Sequence, residues 1–378
     1  MVESVQLKSH RELIISWPII SILVGISFIS GSLSILTEDL KYIKYIPLIL
    51  GAFFIIYGNA KIIISKKNRS FIFPFIILII SSLVRPLQYN SITFISITIF
   101  ISSIILFLAP VNIRANLKII NGILIIGFLL LLFLARKITF NFSLKSLIFS
   151  DTSSLETNIS CFLFGFFTIF WFIEKKWKWG IINFILVLLT FKRIVVLGVI
   201  ISYLFYKQPE KLKLFIRKPT VIIIINLIYV GLSLYIASGQ FADFIISHFG
   251  VGAGAFTKGR STFNHLILPY ILNHKSVFIT GMGQDNLRLL LSSKLGYPQL
   301  FHNDIVKLLL EHGIFVFIAF FYFLYKIPFR LLPITIFFNV CMATDNILIY
   351  VSVVFCYFLL INNESINRRF KLGSPISN

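Results

Sequence analysis

The chain has 378 residues, a formal net charge of +21, 57% hydrophobic residues and only 13% charged ones. That charged fraction, with a mean hydropathy of +0.92, excludes an ordinary soluble domain, in which about a quarter of residues are charged. The basic excess does not mark a nucleic-acid binder either, because Lys and Arg punctuate the ends of apolar runs instead of forming one stripe.

Taken in chain order, Glu3, Lys8, Arg11 and Glu12 precede an apolar run with no small-residue cleavage site after it. This run is expected to be a retained first helix and not a signal peptide. About twenty apolar residues cross a bilayer core of about 30 Å, and fewer suffice where neighbours shield the helix. Candidate spans are 13–36, 45–64, 70–84, 91–111, 117–135, 157–173, 179–191, 194–206, 219–237, 313–325, 331–342 and 345–361. Cys161, Cys341 and Cys356 all fall inside apolar segments without CxxC spacing, so neither a disulfide framework nor a zinc site is expected.

Lys192-Arg193 interrupts Trp179–Tyr206. As one helix, this stretch would hold two charges at mid-bilayer, at about 2.5–3.5 kcal/mol each. As two short helices with a cytoplasmic N-terminus, the spans leave about 21 Lys/Arg inside and about 8 outside; one helix gives about 11 against about 16. The count favours the split. It places Lys66-Lys67-Asn68-Arg69, Lys175-Lys176, the Lys207–Lys218 cluster and Arg368-Arg369 inside, with Trp171, Trp177 and Trp179 at that interface. Outside lie Arg85, the Arg136–Glu156 connection, Lys192-Arg193 and a segment that breaks the apolar pattern. The expected organisation is an N-terminal bundle of about nine spans (1–237), a large external loop (238–312), and C-terminal helices with a cytoplasmic tail (313–378). No internal repeat is visible, which counts against a transporter built from paired halves.

The loop holds five of the six histidines: His248, His265, His274, His302 and His312. His302-Asn303-Asp304 opens a segment with apolar residues at 305, 306 and 308–310, read as an amphipathic helix at the membrane surface. Asn303 or Asp304 is its natural N-cap. Lys258-Gly259-Arg260 follows Gly250, Gly252 and Gly254; a guanidinium offers parallel donors to phosphate, although a flexible loop has the same composition. Lys192-Arg193 joins two short helices and should lie below the outer surface. Snorkelling explains such charges as readily as function does, and more readily for Arg85 and Arg136. Gly281-Met282-Gly283 reads as a turn. No HExxH or DxD metal pattern occurs. A neutral histidine near arginines is a plausible general base.

Thr190-Phe191-Lys192-Arg193, Lys258-Gly259-Arg260, Gly281-Met282-Gly283 and His302-Asn303-Asp304 with Glu311-His312-Gly313 occur in that order. The stretch from Trp179 to Tyr325 thereby resembles the bacterial O-antigen polymerase and O-antigen ligase family of multispanning membrane glycosyltransferases. The family's ligase pattern is HN, nine residues, then GxxG; here Gly313 is in place, but Val316 stands at the final glycine, which weighs against the ligase branch. The resemblance implies an all-α, GT-C-like fold of about twelve spans in the bacterial inner membrane. It implies donor and acceptor glycans on undecaprenyl diphosphate, no cofactor and no metal, and leaves room for a chain-length regulator as partner. It also implies that Arg193 and Arg260, with Lys192, grip the diphosphate while His302 activates the acceptor hydroxyl. His265, Arg288, Asn303, Asp304, Arg136 and Arg85 come next as secondary substrate contacts.

The expected activity is a polysaccharide polymerase, with a ligase as the same-class alternative. A lipid-oligosaccharide flippase would keep charges inside its helix bundle and have short loops on both sides, unlike this chain. A non-catalytic membrane scaffold is the remaining class.

Overall fold

A computed structural model describes residues 17–30, 49, 73–84, 116–134, 159–190, 192–240, 242–249, 260–297 and 299–361. The expected spans 45–64 and 91–111, Arg85, Arg136, Lys258 and the tail arginines lie outside the described residues. Every element among the described residues is helical and none is a strand. Three helices, Leu117–Leu134, Pro219–Ala237 and Asp304–Leu324, are long and apolar enough to cross a membrane, and several shorter apolar helices accompany them.

In chain order the helices are α1 (Trp17–Ser30), α2 (Phe73–Val84), α3 (Leu117–Leu134), α4 (Ser160–Ile173), α5 (Trp177–Leu189), α6 (Arg193–Lys207), α7 (Glu210–Ile216) and α8 (Pro219–Ala237). Beyond them come α9 (Ala242–Phe249), α10 (Arg260–Asn273), α11 (Val277–Thr280), α12 (Asn286–Leu295), α13 (Asp304–Leu324), α14 (Leu332–Met342) and α15 (Val351–Ile361). Pro219 and Pro333 occupy first-turn positions, where a missing N–H costs nothing and the fixed φ favours helix.

The centre is α4, whose aromatic-rich sequence is buried almost throughout. Phe164 packs edge-on against Phe128 of α3, and Phe166 against Phe337 of α14. Ring pairs also fix the direction of α6. Phe162 lies under the Lys192 ammonium and Phe172 touches Tyr203, so α6 runs parallel to α4. Because Trp177 also meets Tyr203, the chain travels away along α5 and returns along α6. The reversal occurs at Thr190–Lys192, where Thr190 turns its hydroxyl back onto the Val187 carbonyl and Lys192 is extended. Lys192 therefore stands at the opposite end of the bundle from Lys207.

Two expectations are corrected. The segment 304–312 is not a surface helix: it is the first half of α13 and is buried within the chain, polar residues included, apart from a partly exposed Lys307. Its polar face, formed by Asp304, Lys307 and Glu311, is covered by Leu348 and Asp285 instead of solvent. Nor does the last span start at 345. Residues 343–350 form a connecting turn with a short 3-10 segment (Ile347–Ile349) before α15 begins at Val351. The stretch 238–303 carries α9 to α12.

Candidate functional site

The turn between α14 and α15 projects Asp345 into the end of the bundle where Lys192 lies. Its side chain is only 3% exposed. One carboxylate oxygen sits 2.5 Å from the Lys192 ammonium. The other accepts hydrogen bonds from the Tyr350 hydroxyl at 2.9 Å and the Asn346 amide at 2.8 Å. His302 Nδ1 lies 3.6 Å from that same oxygen, an ion-pairing distance just beyond hydrogen-bond contact. Burial opposes ionisation of Asp345, but the adjacent imidazole and the Lys192 ammonium outweigh it and hold the carboxyl below the usual range. A carboxylate facing Nδ1 favours the tautomer with its proton there and leaves Nε2 to accept a proton.

The residues after His302 lock this arrangement. Asn303 caps α13 through its side-chain oxygen, which accepts from the Val306 amide at 3.1 Å. Its amide nitrogen donates to the Tyr229 hydroxyl of α8 at 2.9 Å, and Tyr229 in turn donates to the Ala343 carbonyl. Asp304 accepts from the Leu348 amide at 2.8 Å, while its own amide donates to the Asp345 carbonyl at 3.3 Å. The α13 cap and the 343–350 turn are thus stitched together at several points, which fixes His302 relative to Asp345.

A second polar layer lies along the first half of α13, so this helix buries charge inside the bundle, contrary to the expectation of helices free of internal charge. Lys307 is 3.5 Å from Asp285 and 3.8 Å from Glu311, both carboxylates being almost completely buried. Neither Glu311 oxygen has a hydrogen-bond partner among the described residues. His312 pairs through Nδ1 with Ser81 of α2 at 2.9 Å. Gln284, Asp304, Lys307, Glu311 and His312 line a cavity of about 10 Å³, the size of one water molecule.

The two glycine motifs meet beneath this layer. Gly313 has φ +81° and breaks α13, which frees the Leu310 and Glu311 carbonyls. Met282 and Gly283 donate their amides to those two carbonyls, each at 2.8 Å. A Cβ on Gly281 would lie 2.4 Å from the Glu311 oxygen, and one on Gly313 would lie 2.4 Å from the Ile279 oxygen. Both glycines also have positive φ, so neither backbone tolerates a side chain there.

Of the residues expected from the sequence, Lys192, His302, Asn303 and Asp304 come together. Arg193, the neighbour of Lys192 in the chain, heads α6 and is half-buried. Arg260 is the first residue of α10, and its side chain lies outside the described residues. His265 donates through Nδ1 to the Ala237 carbonyl at 2.8 Å, which ties α10 to the end of α8. Arg288 is buried in α12, its Nε without a partner among the described residues, and no contact among them joins it to His302. The sequence motifs alone do not single out Asp345, Tyr350, Tyr229 or Lys307. Asp345 had a legible signal: it is the lone carboxylate between Glu311 and Glu364, in a strongly apolar region. An ionisable group in such a region is a candidate for function. No family model, curated protein or solved structure matches this chain.

Proposed function

We propose that the chain is a polysaccharide polymerase that moves a polyprenyl-diphosphate-linked glycan onto a sugar hydroxyl of another lipid-linked repeat unit. The observation that carries this reading is the convergence of Lys192 and His302, from distant parts of the sequence, on the single carboxylate of Asp345. A base held by a carboxylate beside fixed cations is what glycosyl transfer from a diphosphate donor requires. His302 Nε2 takes the proton of the acceptor hydroxyl as its oxygen bonds to the anomeric carbon. The bond from that carbon to the diphosphate oxygen breaks, and its electron pair leaves with the diphosphate. Fixed cations stabilise that developing charge at a partly dehydrated site. Lys192, Arg193 and Arg260 are assigned that role, and Asp345 positions His302.

The same reading takes the chain as a twelve-span, GT-C-like protein of the bacterial inner membrane, with 238–312 on the outer face. Undecaprenyl-diphosphate glycans serve as donor and acceptor, and a chain-length regulator is a natural partner. Val316 in place of the second ligase glycine favours polymerase over ligase.

The test is complementation of a deletion strain, with the surface glycan resolved on a gel. His302→Ala should leave single repeat units on the final acceptor. Long lipid-linked polymer would assign a ligase instead, and loss of all extended external glycan a flippase. A full ladder from His302→Ala would overturn the general-base assignment.

A further inference from the structure

The bundle end opposite His302 is formed by three connections: 174–178, 207–218 and 325–331. They touch one another directly. Arg330 of the third pairs with Glu174 of the first at 2.6 Å, and Arg217 of the second donates to the Ile327 carbonyl of the third at 3.3 Å. The Lys207 ammonium of the second lies 5.3 Å from the Trp177 ring of the first. Together they carry ten Lys/Arg and two Glu. Of the two acids, Glu174 is paired with Arg330, while Glu210 stands in the first turn of α7.

Two features exceed what a simple inside-positive bias produces. The lysines lie over aromatic faces: Lys207 also over Tyr203 and Tyr206, and Lys213 over Tyr206 at 5.4 Å. The rings hold the ammonium groups close to the plane at which the spans end. Then α7 exposes Leu212, Leu214 and Phe215 beside Lys211 and Lys213, and membrane-crossing α8 begins within three residues of its end. A short helix with apolar side chains exposed between cations, tethered to a span, belongs at the boundary of headgroups and acyl chains.

We infer that this basic end, centred on α7 and the Lys207–Tyr206–Lys213 cluster, binds anionic phospholipid headgroups of the leaflet it faces in preference to zwitterionic ones. The surface lies at the far end from His302 and does not depend on the catalytic reading. Charge complementarity selects the phosphate, and the exposed leucines and Phe215 select a lipid over a soluble phosphate.

The experiment uses the full-length protein in neutral detergent, offered equimolar phosphatidylglycerol and phosphatidylcholine, with retained lipid counted by native mass spectrometry. Wild type should retain phosphatidylglycerol preferentially. Neutralising two cations in Lys211→Gln/Lys213→Gln should lower that preference about twenty-five-fold, about fivefold per charge. Lys275→Gln/Lys294→Gln, which neutralises two exposed cations outside the three connections, should leave it unchanged. Equal retention of both lipids by wild type, or a preference that survives Lys211→Gln/Lys213→Gln, would overturn the inference. If that variant is not monodisperse, salt at about 0.5 M on wild type decides: the preference must collapse, and persistence refutes it. A wild type that ignores phosphatidylglycerol but binds polyglutamate in a salt-sensitive way assigns the surface to an acidic polypeptide, which also refutes the lipid assignment.

Discussion

Asp345→Asn tests the centre of the site, because it removes the charge while keeping an oxygen for Tyr350 and Asn346. Lys192, 11% exposed, then faces a neutral amide. Breaking one half of a buried ion pair costs about 3–5 kcal/mol. The contact of Lys192 with the Phe162 face, at 4.9 Å, and its residual exposure put the expected loss at about 3 kcal/mol. With an unfolding entropy of about 2.1 cal/mol/K per residue, that corresponds to a fall in Tm of about 4 °C. The assay is thermal unfolding of the purified protein in detergent for wild type, Asp345→Asn, Lys192→Met and the double variant. The double variant should be more stable than the sum of the single losses predicts, by about 2 kcal/mol, because it leaves no uncompensated charge. Additivity to within about 0.5 kcal/mol would show that the pair is not coupled and would refute the Lys192–Asp345 ion pair.

The interlocked glycines give a sharper structural test. Gly313→Ala and Gly281→Ala should each cost at least about 3 kcal/mol, through backbone clash and positive φ, and yield little monodisperse protein on size exclusion. Gly231→Ala, with open space around its position in α8, should be neutral or mildly stabilising. Lys307→Met should destabilise by about 3–5 kcal/mol by removing the cation that Glu311 faces, and adding Glu311→Gln should recover part of that loss, as read from the unfolding midpoint. The Asp345 carboxyl is held below its unfolded value, so its contribution is fully present above the ordinary carboxylate range and is lost as pH falls. The stability difference between wild type and Asp345→Asn should therefore stay constant from about pH 5 to 8 and shrink below about pH 4, measured by the same unfolding assay.

Hydrophobicity and charge along a line were enough for part of this protein. The apolar runs required helices, some long and apolar enough to cross a membrane, and α8 occupies Pro219–Ala237 as read because a proline start and a uniform apolar run leave little choice. The break at Lys192 is legible because two charges at mid-bilayer cost more than a turn. Asn303 announces its cap because few residue types satisfy a helix's first amides.

Groups whose partners are distant in the chain needed the closed bundle to be understood. The segment 304–312 reads as a surface helix in sequence because its charges look solvated, whereas Asp285, Ser81 and Leu348 supply their partners from elsewhere. The pairing of Gly281 with Gly313 depends on two backbones meeting at a kink, which neither glycine signals alone. Asp345 shows the division most plainly. Its isolation among apolar residues is visible in the sequence, but its meaning is not, since a buried charge acquires a role only from the partners that pair with it. Those partners, Lys192 and His302, come from opposite sides of a long stretch of chain and meet only when the bundle closes.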